Sequence, residues 1–353
     1  AAEGGGSKKP MYLALAAGAA VLGYGAYASV ASLQSVDERV AALEVAAAKK
    51  ESSAFVFVKP HAVTDAVKDL VKKKLAEAGI TIVGEGTIPG PVIDKQMLID
   101  THYGAIADKA VKTKPAALAP SPKALAAFEQ TFGLAWADAL KKGLVYNAAD
   151  ACAKLGIDGD ALDAKWSTLK RGSTLIKFGG GFYCGAVDGI YVINGFYMSM
   201  RGKFTTPDAS IHYYLVEWPT AALAWEDFRG KVLGGTNPHE AAPGSLRKLI
   251  AENWQTLGLD AVPDTGDNGV HASASPFEAL SERMNWCGVS VDADAYGKGL
   301  LGAGVPLKTL LAWTADPQVA LPGGGKGSLF DALEDLDSDA CLAKAVAIAS
   351  VGK

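Results

Sequence analysis

The sequence predicts an α+β protein, and three neighbouring stretches carry that expectation. SSAFVFVKP, residues 52–60, is a short apolar run rich in strand-favouring residues. TDAVKDLVKKKLAEAG, residues 64–79, places Val67, Leu70, Val71 and Leu75 on one helical face with lysines opposite. ITIVGEGTI, residues 80–88, returns to strand character. Thr64 is a candidate N-cap and Gly79 a candidate C-cap, so the opening reads β-α-β with an amphipathic helix.

Further along, residues 114–128 are rich in Pro, Ala and Lys and read as a linker entering a helix. AAFEQTFGLAWADALKKG (126–143) and AADACAKLGIDGDALDAKW (148–166) read as helical, and GIYVINGFYMSMRGKF (189–204) as strand-rich. IHYYLVEW (211–218) is a clean strand, followed by a helix through AALAWEDFRG. The Gly-rich tail from 288 carries late helices at LFDALEDLD and DACLAKAVAIAS. KFGGGFYCG (177–185) reads as a turn between strands. GGGKGS (323–328) lacks the residue order and preceding strand of a phosphate-binding loop.

The chain has 353 residues, 34 basic against 38 acidic, for a net charge of -4. That balance argues against a nucleic-acid binder held by phosphate neutralisation. With 49% hydrophobic residues the chain is not disordered. Cys152, Cys184, Cys287 and Cys341 are far apart with no CxxC pair, so a zinc knuckle or dithiol motif is not expected, and no protein-held metal site is predicted.

Residues 1–10 read as a flexible start. Residues 11–33 contain no charged residue, and a helix needs about 20 such positions to cross a hydrocarbon core, so a single transmembrane helix is expected there. Its Gly and Ala content suits packing against neighbouring helices as well as lipid. Residues 34–51 read as a helical stalk.

Three segments carry candidate chemistry. KPHAV (59–63) ends a strand in a lysine; GGTNPHEAAPGSLR (234–247) is turn-rich, with Thr236 and Arg247; DNGVHASASPFEALSE (267–282) sets His271 among small residues before a helix bearing Glu282. In this order, KPHAV, GGTNP, APGSLR and NGVHASAS resemble the nucleoside diphosphate kinase family, whose pattern is K-P-D-[GA]-V, G-x-T-N-P, A-P-G-T-[IL]-R and N-x-[IVM]-H-[GA]-S-D-S. The resemblance covers roughly 52–104 and 205–288.

The resemblance implies a ferredoxin-like β-α-β-β-α-β core with an antiparallel sheet. It places a domain over 52–288, a large insertion at about 105–204, and an extension over 289–353. It also implies a phosphoryl group carried by His271, oriented through Glu282, with Lys59, Tyr103, Thr236, Arg247 and Lys231 supplying charge and hydrogen bonds to phosphates. Asn268 would meet the sugar hydroxyl, Ser273 would support the His loop, and Mg2+ would arrive with the nucleotide. The sequence departs from the family at His61 (family Asp), Lys231 (family Arg), Asp267 (family Arg) and the absent Asp after Ser273, and no base-stacking aromatic is identifiable.

Two functions are therefore expected. The first is an accessory subunit of an organellar membrane complex, photosynthetic or respiratory, with the thylakoid preferred to the mitochondrial inner membrane; its partners are lipid, neighbouring transmembrane helices and other subunits, with nucleotide binding retained as an option. The alternative is an active, membrane-tethered nucleoside diphosphate kinase.

Overall fold

The computed structural model describes residues 51–351. The flexible start, the span at 11–33 and the stalk up to residue 50 lie outside the described residues. Among the described residues no helix is long and apolar enough to cross a membrane. In chain order the strands used below are β1 (Glu51–Val58), β2 (Thr81–Pro89), β3 (Val145–Asn147), β4 (Leu175–Gly179), β5 (Phe182–Val187), β6 (Ile190–Ile193), β7 (Ser210–Pro219) and β8 (Val270–Ala272). Four helices matter: α1 (Asp65–Glu77), α2 (Tyr197–Thr205), α3 (Pro276–Cys287) and α4 (Ser338–Val351).

The chain forms two compact units. The first contains residues 51–58, 64–86 and 213–351; the second contains 59–63 and 87–212.

The first unit is built on a four-stranded sheet in the order β2-β7-β1-β8. Renumbered by succession among these four strands, that order is 2-3-1-4, the ferredoxin-like order expected from the resemblance. β8 runs antiparallel to β1, with Phe57 opposite His271. β2 and β7 also run in opposite directions: a Cβ on Gly84 would meet Leu215 at 3.2 Å, and one on Gly86 would meet the Tyr213 hydroxyl at 2.8 Å. β1 is buried on both faces from Ala54 to Val58, all at 0% exposure, which explains why it reads as a continuous apolar run rather than an alternating one.

α1 forms where the periodicity predicts it. Thr64 accepts a hydrogen bond from the Val67 amide (3.1 Å), and Gly79 follows the last turn at φ 72°. Val67, Val71 and Leu75 are fully buried. α3 packs on β1, and Trp286 stacks against Phe55 at 6.3 Å between ring centres. The opposite side of α3 buries Phe277 and Leu280 in a core shared with Leu300, Leu310, Leu333, Ala345 and Ile348. The extension from 289 onward is thus part of the first unit, fastened by one continuous apolar cluster.

The second unit has its own sheet, β3-β6-β5-β4, in which β3 and β6 are parallel and the other pairs antiparallel. Alternate residues of β6 face separate cores: Val192 joins Leu162, Trp166 and Tyr197, while Ile193 joins Phe128, Trp136 and Phe178. The unit takes in residues from 87 onward: Gly90 N bonds Ala209 O at 2.6 Å and a Cβ there would lie 2.1 Å from Thr206 O, tying 90–104 to the α2 region. One expectation is corrected here. Residues 189–204 are not strand throughout: the strand stops at Ile193, Asn194 adopts φ 49°, and α2 follows. Asn194 is held there by its amide, which donates to Ile106 O and Gly181 O and accepts from Tyr183 N.

α2 is anchored by a buried charge pair. Asp100, at 0% exposure, accepts from Arg201 Nε at 2.9 Å and from the Tyr197 hydroxyl at 3.0 Å. Removing one partner of such a pair leaves an uncompensated charge and costs about 3–5 kcal/mol. Arg201 also pairs with Asp94 at 2.7 Å, so the partner at risk of being stranded is Asp100. We expect Arg201→Ala to destabilise the chain by that order in urea unfolding, and a loss below about 1 kcal/mol would show that the pair is not holding α2.

Candidate active site

Glu282 sits two turns into α3, 3% exposed, and uses both carboxylate oxygens on β8 and the loop that follows it. Oε1 lies 2.5 Å from His271 Nε2, and Oε2 accepts from the Ser273 hydroxyl at 2.6 Å. Ser273 Oγ is also 3.1 Å from Phe55 O, but it has one proton, and the shorter, charge-assisted bond to the carboxylate takes it. Ser273 in turn accepts from Phe55 N at 3.0 Å. The His271 ring stacks on Phe57 at 4.7 Å. Three contacts thus fix the ring: a stacked face, a carboxylate at Nε2, and the strand itself.

A neutral imidazole that donates Nε2–H to Glu282 carries its lone pair on Nδ1. That tautomer makes Nδ1 the nucleophilic atom.

The segment before His271 depends on a glycine. Gly269 adopts φ 88°, and a Cβ there would meet Ile250 Cδ1 at 2.8 Å. This turn brings Asn268, 2% exposed, against the 234–247 loop, where its Nδ2 donates to Thr236 O at 2.9 Å. Asn268 Oδ1 is buried without a hydrogen-bond partner among the described residues. Arg247 ties the same loop to β8: Nε donates to Val270 O at 3.1 Å and Nη1 to Gly234 O at 2.9 Å. His271, Glu282, Ser273, Asn268, Thr236 and Arg247 are therefore brought together within the first unit.

Lys231 is not built into this arrangement in the same way. Its side chain is exposed and pairs with Asp227 at 2.8 Å, one turn earlier on its own helical segment. Lys59 and Tyr103 belong to the second unit. Lys59 is buried and precedes the turn Pro60–Ala62, its carbonyl accepting from Ala62 N at 2.9 Å. Tyr103 is half-buried at the junction of the turns Leu98–His102 and Gly104–Ala107.

One residue of interest escaped the motif reading. Glu278 lies one turn before Glu282 on α3, and Ser275 Oγ accepts from its amide at 3.1 Å. Burial first, and the Glu282 carboxylate second, push its carboxyl up from the ordinary 4.5 to about 8; the Ala274 backbone and Arg229 pull the other way. The signal available in sequence is Ser275-Pro-Phe-Glu278, a capping-box spacing that places a carboxyl at the helix start.

No family model matches this chain. Over 74 residues, it is 34% identical to a nucleoside diphosphate kinase of Persephonella marina, a match covering 20% of this chain and 45% of that protein. The chain resembles the nucleoside diphosphate kinases. It spans about half the length of the curated relative it matches. Among solved structures, the apo nucleoside diphosphate kinase from Encephalitozoon cuniculi aligns at 14% identity and TM-score 0.33, covering 69% of this chain and 92% of that one. An NDP kinase from Pyrobaculum aerophilum aligns at 19% identity and TM-score 0.32, covering 67% and 96%.

Two outcomes follow from this geometry. An alanine at 269 must adopt a left-handed backbone and displace Ile250, so Gly269→Ala should cost about 1–3 kcal/mol in urea unfolding, and an unchanged midpoint would show the turn to be permissive. The raised Glu278 carboxyl makes folding bind a proton, so its contribution is full below pH 4.5 and is lost as pH rises towards 8. Glu278→Gln should flatten that fall; stability curves that stay parallel from pH 4.5 to 8 would remove Glu278 as its source.

Proposed function

We propose that this chain transfers the terminal phosphoryl group of a nucleoside triphosphate to a nucleoside diphosphate by way of His271. The observation that carries the reading is the carboxylate-held imidazole, Glu282 Oε1 to His271 Nε2 at 2.5 Å. In the first half-reaction the Nδ1 lone pair forms an N–P bond as the bond from phosphorus to the leaving diphosphate oxygen breaks. The second half-reaction reverses this with a different diphosphate. Glu282 keeps the Nε2 proton in place and offsets the positive charge that develops on the ring. Ser273 holds the second carboxylate oxygen, so Glu282 cannot swing away from the ring.

The residues fit a nucleotide at one clear point: the orphaned Asn268 Oδ1 is an acceptor suited to a sugar hydroxyl. Mg2+ arriving with the nucleotide neutralises phosphate charge, and no protein carboxylate is assigned to it. The resemblance, rather than a distance, assigns phosphate contacts to Lys59, Tyr103, Thr236, Lys231 and Arg247. For Arg247 the observed bonds to Gly234 O and Val270 O support a role in holding the two loops in register.

The uncharged stretch 11–33 favours a second reading, in which the same domain is an accessory subunit of an organellar membrane complex, of the thylakoid or the mitochondrial inner membrane. The two readings part on whether His271 takes phosphate and on whether the chain is held by neighbouring subunits. Extraction of native membranes at alkaline pH tests the tether, since a chain released without detergent is not held by a span.

The full chain incubated with ATP labelled in its γ-phosphate and Mg2+ should form an acid-labile, alkali-stable label at His271, discharged by a diphosphate and absent in His271→Ala. Glu282→Gln should slow labelling by about 10- to 100-fold. A folded wild-type chain that takes no label would end the kinase reading.

A further inference from the structure

We propose that Asp337, in the extension beyond the kinase-like region, is a positioning residue for His271, acting through Trp225 and the loop 273–275. The inference rests on the phosphoryl-transfer reading for its functional meaning, but its geometry stands independently.

The contacts form an unbroken path. Asp337 Oδ1 accepts from Trp225 N at 2.7 Å. Trp225, fully buried, donates its indole Nε1–H to Ser273 O at 3.2 Å. Ser273 donates to Glu282, and Glu282 meets His271. A second strap runs beside the first: Asp335 N donates to Ala274 O at 3.0 Å. Asp335 is itself held by Arg229, whose Nη1 reaches Asp335 Oδ1 at 2.6 Å and Glu334 Oε1 at 2.7 Å. Both consecutive carbonyls of the loop after His271 are therefore satisfied by groups that the extension supplies or anchors.

This matters because of what the loop lacks. The family motif carries an Asp after the first Ser, and this chain has Ala274 there. An alanine side chain makes no hydrogen bond, so the loop's shape depends on bonds to its backbone. The segment Glu334–Asp337 supplies or anchors two of them. Ser273 is the sensitive point: a shift of its carbonyl moves its hydroxyl, and with it the Glu282 oxygen that shares the carboxylate with His271. Asp337 touches no reacting atom; its effect passes through Trp225.

The test uses the full chain with Asp337→Ala, Asp337→Asn and Trp225→Phe. Nitrogen-15 NMR reads the His271 tautomer, and phosphoramidate, a small phosphoryl donor that needs no nucleotide site, reads Nδ1 reactivity by site-resolved mass spectrometry. Nucleotide-driven labelling is measured in parallel. Asp337→Ala should populate the other tautomer and slow both labelling reactions by about tenfold, with nucleotide KM unchanged. Asp337→Asn, which keeps an acceptor oxygen for Trp225 N, should recover most of the rate. Trp225→Phe, which deletes only the indole donor and fills most of the same volume, should reproduce the tautomer change and remains decisive if Asp337→Ala does not fold.

Folded variants with wild-type tautomer and wild-type phosphoramidate reactivity overturn the proposal, even if the wild type proves an active kinase. A tautomer change in a chain that takes no label from ATP upholds the positioning path while ending the nucleotide reading.

Discussion

A single carboxylate organises the candidate site. Glu282 is nearly excluded from solvent, and its two oxygens serve different residues, one meeting His271 and the other Ser273. Buried carboxylates are stable only when fully bonded, so the local structure is arranged around supplying those bonds. β8 must lie beside β1 to present His271 and Ser273 on one side, and α3 must start at Ser275 for Glu282 to arrive two turns later. Gly269 and Arg247 then set how the chain enters β8. The β1–β8 pairing, the helix start and the tight turn together bring the bonded groups into place.

α3 is packed on several sides, by the sheet and by the extension. One side of the helix packs on Phe55 and Phe57, another carries the acidic pair Glu278 and Glu282, and a third buries Phe277 and Leu280 against the extension. Arg283, nearly buried, pairs with Asp294 of the extension at 2.7 Å and also donates to Ser53 O on β1. The helix that bears Glu282 is thus clamped from outside as well as from the sheet. Rigidity at a second remove is how a site keeps its geometry when its own loop residues are small.

Much of this was legible in the sequence, for physical reasons that differ by residue. Thr64 and Gly79 announced α1 because capping is a local effect, complete within a few residues. His271, Glu282, Asn268 and Arg247 were legible because their spacing survives in motifs, and they do lie together. The helix at 197–205 was not, since its aromatic and Met residues suit either period and the decisive bonds come from Asn194 and from Asp100, 101 residues before Arg201. Glu278 looked like an ordinary helix-start acid; only burial beside Glu282 changes its proton affinity. The Asp337–Trp225 contact joins residues 112 positions apart, and no periodicity carries that information.

The longer segment of the second unit, 87–212, lies in the chain between β2 and β7, which are neighbours in the sheet. At its root, Thr87 and His212 are joined at 2.9 Å, and Gly90 N meets Ala209 O at 2.6 Å. In polymer terms the whole excursion is a hairpin loop whose ends are already paired. Its closure entropy grows only with the logarithm of its length, so more than a hundred residues add about the same order of cost as a few dozen would. The host sheet is therefore largely indifferent to the length of what lies between these two strands, provided that it folds.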